Sequence, residues 1–246
     1  MPTHMEIDAF AIKLRAGSAM EAADLGVRLC QSAAASVYRC YLVVLIPIVF
    51  LSCGTFSFAP WLPSILLWWA KPWLDRTILF VLSRAAFGQT TTIRDLWNAG
   101  RQVWWHQFIW TWTMRRLSPW RSLTQPVFQL EGMSVWKLRK RLKLIRAGHT
   151  RGALLMTSAF GYAEVCLSVA LMSLWLWLMP AQQHVQISEL FTNSESVQCA
   201  WTGIYAVVVG FLEPFYVAAG FAMYLNRRVQ LEAWDIEQEF RRAFAA

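Results

Sequence analysis

A chain of 246 residues that is 57% hydrophobic and holds 15 tryptophans is too apolar for an average soluble domain. Its net charge of +8 would suggest nucleic acid in a soluble protein, but in so apolar a chain basic residues mark the cytoplasmic side of membrane spans. Five cysteines (Cys30, Cys40, Cys53, Cys166, Cys199) form no CxxC pair and the four histidines are scattered, so no disulfide framework, metal site or cofactor is expected. Cys53 and Cys199, both toward the outer ends of their helices, are the one pair placed for a single bridge.

Residues 1–17 hold Glu6, Asp8, Lys13 and Arg15 and read as a tail or a short strand-like segment. No secretory signal precedes the first long apolar run near Tyr41, which is expected to be a retained anchor. Ser18-Ala19-Met20-Glu21 matches a capping box and starts a helix over 19–39. Met20, Ala23, Val27 and Cys30 fall on one face against Glu21, Asp24, Arg28 and Gln31, which predicts an amphipathic helix on the cytoplasmic surface. The first span covers about 40–58, with Pro47 inside it, and 54–60 form an uncharged turn. The second covers 61–83 and contains Lys71, Asp75 and Arg76. Either its helix continues through Pro72 with the charges facing protein, which is the favoured reading, or it bends along the inner interface.

Residues 84–152 are strongly basic, with Asp95 and Glu131 as their acids. Thr92 caps a helix, and the tryptophan-rich run 103–113 is too short to span and reads as interfacial. Ser118-Pro119-Trp120-Arg121 and Gln125-Pro126 read as a loop. Within 135–151, Val135, Leu138, Leu142 and Ile145 recur at helical spacing beside Lys137, Arg139, Lys140, Arg141, Lys143 and Arg146. This is a basic amphipathic helix suited to anionic lipid headgroups. The third span is 153–179 with Glu164 near its centre, and 181–198 is polar without Lys or Arg. The fourth is 199–225, whose one charged side chain is Glu213; Asn226, Arg227 and Arg228 mark its inner boundary, and a short amphipathic helix over 230–246 follows.

The fold class is therefore all-α: a single polytopic membrane domain, 1–246, of about four transmembrane helices plus cytoplasmic interfacial helices. It comprises a cytoplasmic segment 1–39, a hairpin of spans 40–83, a basic region 84–152, a second hairpin 153–225 and a tail 226–246. The two outer connections carry no Lys or Arg, which predicts both termini on the cytoplasmic side of the membrane.

Lys71, Glu164 and Glu213 fall near span centres, with Asp75 and Arg76 one turn inward of Lys71. Lys71 and Asp75, at i and i+4, are expected to pair within their helix and to leave Arg76 for a glutamate. Such a cluster of Lys71, Asp75, Arg76, Glu164 and Glu213 is either an interhelical clasp or a polar pathway for a proton or ion. Pro214 removes a donor beside Glu213 and predicts a helix break. Ala206/Gly210, Ala218/Ala222 and Ala159/Ala163 offer small-residue faces for close helix contact. No nucleophile elbow, zinc-protease, phosphate-loop or dinucleotide motif occurs, so acid–base work by two membrane glutamates is the one catalytic chemistry on offer and a non-enzymatic role is expected.

EPFYVAAGFAMYLNRRVQLEAWDIEQEFRR (213–242), SAMEAADLGVRL (18–29), LLWWAKPWLDRTILFVLSRAAFG (66–88) and RLSPWRSLTQPVFQLEG (116–132) together resemble an uncharacterised inner-membrane protein family of gammaproteobacteria. Ala233 stands where that pattern has glycine before Trp234. Genes of the family often lie near those of MoxR-type AAA+ ATPases, so the resemblance implies a member of an envelope assembly or chaperone-like system, and it supplies no activity. The function expected is a subunit or scaffold that binds other inner-membrane proteins and anionic lipid. The alternative is a small transporter or ion-conducting component using the mid-depth charges.

Overall fold

A computed structural model of the chain describes residues 17–105, 118–131, 135–178 and 195–232. Every regular element among them is helical. In chain order these are α1 (Ala19–Ser32), α2 (Ala34–Cys53), α3 (Leu62–Ala85), α4 (Ile93–Asn98), a π-helical turn over Arg101–Trp105, α5 (Arg121–Leu130), α6 (Val135–Arg146), α7 (Thr150–Leu178) and α8 (Glu195–Glu232). The two tails, the polar connection before α8, and most of the tryptophan-rich run 103–113 lie outside the described residues.

Helix α8 is the spine. At 38 residues it is about 57 Å long at ~1.5 Å per residue, well beyond a ~30 Å hydrocarbon core. It does not stop at Asn226-Arg227-Arg228 but continues to Glu232, and it runs through Pro214 without the break expected there. Tertiary hydrogen bonds brace the helix on either side of the weakened turn. Pro214 has no N–H to donate to the carbonyl of Gly210. On either side of that carbonyl, Tyr38 and Tyr41 of α2 donate their hydroxyls to Phe211 O at 3.1 Å and Val209 O at 3.4 Å.

The capping box at Ser18 and Glu21 is present, so the start of α1 is where the sequence places it. The single helix expected over 19–39 is instead two, separated at Ala33. The buried stripe of α1 is Ala22, Ala23, Gly26, Leu29 and Cys30, packed along the C-terminal part of α8, while Met20 of the expected apolar face is exposed. Asn226 fixes one end of this contact by exchanging hydrogen bonds with the backbone of Gly17 (3.1 and 3.0 Å). Gly26 fixes the other: a Cβ there would stand 2.2 Å from the carbonyl oxygen of Ala218. Cys30 is buried on the same stripe, and burial pushes its thiol up to about 12, which makes it a packing residue. All five cysteines are free.

Helix α3 continues through Pro72, and Lys71, Pro72, Asp75 and Arg76 are all buried against protein. The chain then doubles back: Thr92 caps α4 in a box with Asp95, and Trp104 donates its indole N–H to Thr77 of α3 at 3.0 Å. The Thr92 amide and hydroxyl hold the exposed Asp95 carboxyl below its ordinary range. This cap contributes above the unfolded carboxylate value of about 3.9 and is lost as pH falls through the lowered folded value.

The segment around Ser118–Pro126, expected to be a loop, is the largest departure. It forms α5, in which Arg121 through Val127 are buried. Gln125 and Gln129, one turn apart, donate to the carbonyls of Pro72 (3.3 Å) and Arg76 (2.9 Å), one turn apart on α3. On the α8 side a Cβ at Gly220 would meet Ser122 Cβ at 2.2 Å, so only glycine allows this approach. Pro126 cannot donate to the carbonyl of Ser122, which leaves that oxygen to face the glycine.

Among the described residues, three helices are long and apolar enough to cross a membrane: Ala34–Cys53, Thr150–Leu178 and the α8 segment Glu195–Leu231. Their exposed residues include Phe50 and Leu51 on α2, Leu155, Tyr162 and Trp177 on α7, and Val207 and Phe211 on α8, as a lipid-facing surface requires. Ala159 and Ala163 are on this outward surface, whereas Ala218 and Ala222 are buried.

Replacing Gly26 with leucine is expected to force α1 off α8 and to cost about 1–3 kcal/mol or more, as overpacking does. Gly203→Leu, where a Cβ meets nothing within 4 Å, is the control and should leave the melting midpoint level or higher. Midpoints in a mild detergent compare the two.

Candidate functional site

Four helices meet at one group of charges. Lys71 Nζ of α3 lies 2.6 Å from Glu164 Oε2 of α7 and 2.8 Å from Glu213 Oε2 of α8. Arg121 of α5 donates from Nη2 to the other oxygen of Glu213 at 2.7 Å. Its Nε stands 2.9 Å from Asp75 Oδ2, an ion pair by distance in which the N–H is not aligned on the oxygen. Glu213 thus takes one cation on each oxygen, and Lys71 and Arg121 each bridge two carboxylates.

Local structure explains the gathering. Lys71 and Asp75 are one turn apart, so they share the face of α3 that meets α5 and α8. They do not pair with each other; each instead finds its counter-ion on another helix, Lys71 on the two glutamates and Asp75 on Arg121. Arg76, expected to serve a glutamate, takes no part in these pairs; its carbonyl receives Gln129 from α5 instead. Arg121 opens α5, where a cation opposes the helix dipole, and Asp75 and Glu213 beside that helix end offset the conflict. Its guanidinium also lies over the Tyr216 ring, 5.3 Å from the centroid. Thr157 of α7 donates to Pro119 O at 2.8 Å and so ties α7 to the approach to α5.

The group is buried: Asp75 is 1% exposed, Glu213 3% and Lys71 5%. A cavity of about 270 Å³ reaches it, with Lys71, Arg121, Glu164 and Glu213 in its wall beside Trp68, Phe160 and Tyr216. Among the described residues no group of His, Cys, Asp and Glu is placed to hold a metal ion.

The basic helix divides. Arg141 of α6 turns inward, its Nε donating to Glu131 at 3.1 and 3.3 Å, while the hydroxyl of Tyr224 donates to Glu131 Oε1 at 2.7 Å. Arg146 lies over the Trp120 ring at 5.3 Å. Lys140 and Lys143 are exposed, and the side chains of Lys137 and Arg139 lie outside the described residues. Helix α5 is thus held by ionic contacts at both ends, Arg121 at one and Glu131 at the other.

The sequence offered one signal for Arg121. Arg121, Gln125 and Gln129 recur every fourth residue, a polar stripe on one helical face; the prolines at 119 and 126 obscured it. Comparison with protein-family models, with curated proteins and with solved structures finds no match.

Removing one partner of a buried ion pair leaves the other charge uncompensated, at a cost of about 3–5 kcal/mol. Glu213→Gln is therefore expected to destabilise strongly, because Glu213 neutralises two cations and its side chain is 3% exposed. Glu164→Gln should cost clearly less, since among the described residues Glu164 pairs with Lys71 alone and its side chain is 20% exposed. Thermal or denaturant unfolding of the two variants checks the order.

Proposed function

We propose that the chain is a non-enzymatic subunit of a bacterial inner-membrane complex, held together by the ion group at Glu213 and offering its outward helix faces to other membrane proteins. One observation carries the reading: the charges of the site are paired with one another, and the described helices leave the apolar faces of α2 and α7 uncovered. Charges arranged this way suit a clasp that selects one packing of four helices. A conduction site needs groups free to exchange ligands.

In this proposal α3 is a fourth span, despite its charges, because they face protein rather than lipid. With the outer surface at the Cys53 end of α2, a ~30 Å core ends about 20 residues inward, near Ala33. Helix α1 and the inner part of α8 then lie on the cytoplasmic side, together with both termini. The exposed lysines of α6, Lys140 and Lys143, are the residues to meet anionic headgroups there, at about 1 kcal/mol each. The resemblance of residues 213–242 to a family encoded near MoxR-type AAA+ ATPases supports an assembly or chaperone-like setting. The second reading, ion conduction, has one observation in its favour, the cavity that reaches Lys71, Arg121, Glu164 and Glu213.

The two readings part on Glu213→Gln. A subunit loses stability or co-purifying membrane partners with this change, and the wild-type chain in liposomes gives no proton or ion flux. Flux that the substitution abolishes while the partners remain bound would overturn the subunit reading in favour of conduction.

A further inference from the structure

Helices α3 and α7 both lie along α8 but have little direct contact with each other. The Lys71–Glu164 pair bridges the gap between them, and the 270 Å³ cavity sits beside that bridge. Its walls are Trp68 of α3, Phe160 of α7 and Leu212 of α8; its polar end is the ion group. At the rim stands Gly161, where a Cβ would meet nothing within 4 Å. A site with aromatic walls, a charged end and a rim on the outward apolar surface suits an amphiphile whose head enters sideways.

The charges select the head. Counted as fully ionised, the described residues of the group set Lys71 and Arg121 against Asp75, Glu164 and Glu213, a formal sum of minus one. Among the charged side chains of the cavity wall, Glu164 is the most accessible, at 20% against 6%, 8% and 3% for Lys71, Arg121 and Glu213. Lys71 occupies Glu164 Oε2, which leaves Oε1 to the cavity. An incoming anion would meet this carboxylate first, whereas a monocation restores neutrality. The wall also offers the Thr157 and Tyr216 hydroxyls and the Trp68 and Phe160 rings. Hydroxyl acceptors and ring faces suit a compact N–H donor, while a hard metal ion wants six or more oxygens.

We propose that the cleft between α3 and α7 binds a primary ammonium group carried by an amphiphile, received by Glu164 and flanked by Trp68 and Phe160. The inference rests on the membrane placement proposed above, and it holds whether or not the chain assembles with partners.

The test uses the purified full chain in dodecyl maltoside, with the melting midpoint followed during titration. Phosphatidylethanolamine should raise the midpoint saturably. Phosphatidylcholine, whose quaternary head has no N–H, and phosphatidic acid, which has no amine, should not. Glu164→Gln should weaken half-saturation by about tenfold, the loss of one charge-assisted hydrogen bond. As that variant also disturbs the clasp, Gly161→Leu is the second arm: it fills the rim without touching an ion pair, so it should abolish the response and keep the lipid-free midpoint. An equal response to phosphatidylcholine or phosphatidic acid overturns the ammonium. An equal response to free ethanolamine overturns the amphiphile. A full response in Gly161→Leu overturns the cavity. A midpoint that no lipid moves, as expected if a proton shared by the carboxyls supplies the missing charge, overturns the proposal as a whole.

Discussion

Glu213 cannot be buried alone. A carboxylate withdrawn from water costs several kcal/mol unless cations and hydrogen bonds replace its hydration shell, and α8 has no Lys or Arg within two turns of Glu213. The requirement is met from two other helices, by Lys71 on one oxygen and Arg121 on the other. Each cation in turn holds a further carboxylate, Glu164 or Asp75, so one acid's need for compensation brings α3, α5, α7 and α8 to a common point. Apolar packing between helices in lipid is nearly indifferent to rotation and depth, because acyl chains pack almost as well as leucine. Ion pairs at 2.6–2.9 Å are not indifferent, and they set the register of this bundle.

Close backbone approach does the complementary work at the other end of α8. Gly26 lets α1 rest on Ala218, and Gly220 lets Ser122 of α5 rest against α8. Between these contacts α5 is held by an ion pair at each end and by two glutamines hydrogen-bonded to α3 carbonyls. A ten-residue helix with one proline inside it and another just before it is marginal alone, and these contacts are what sustain it. Its position matters because it delivers Arg121.

The outward surface has the opposite character. Helix α7 meets α8 along one face and leaves Leu155, Tyr162 and Trp177 exposed, while the polar side of that contact holds Glu164 and Thr157 at the cavity. Apolar outside and ionic within is the distribution expected of a bundle whose solvent is lipid. The charged cavity lies where α3 and α7 are joined by one ion pair rather than by a packed seam.

The amino-acid sequence alone determined the helical class, the apolar segments, the caps at Ser18 and Thr92, and four of the charges that meet: Lys71, Asp75, Glu164 and Glu213. These features follow from composition and from spacing along one chain, where periodicity and local hydrogen bonding leave a direct mark. Only the tertiary structure decided that Arg121, rather than Arg76, completes the group, that Arg141 turns inward to Glu131, and that α8 passes Pro214 unbroken. Each of these depends on a partner many residues away. Asp75 had a candidate cation one turn off, yet the pair that formed joins two helices, because α5 brings a guanidinium to a carboxylate that no solvent reaches. Spacing in a sequence ranks the near neighbours of a charge; in a buried core the partner is whichever opposite charge the packing can bring within about 3 Å, and that is a property of the assembled helices.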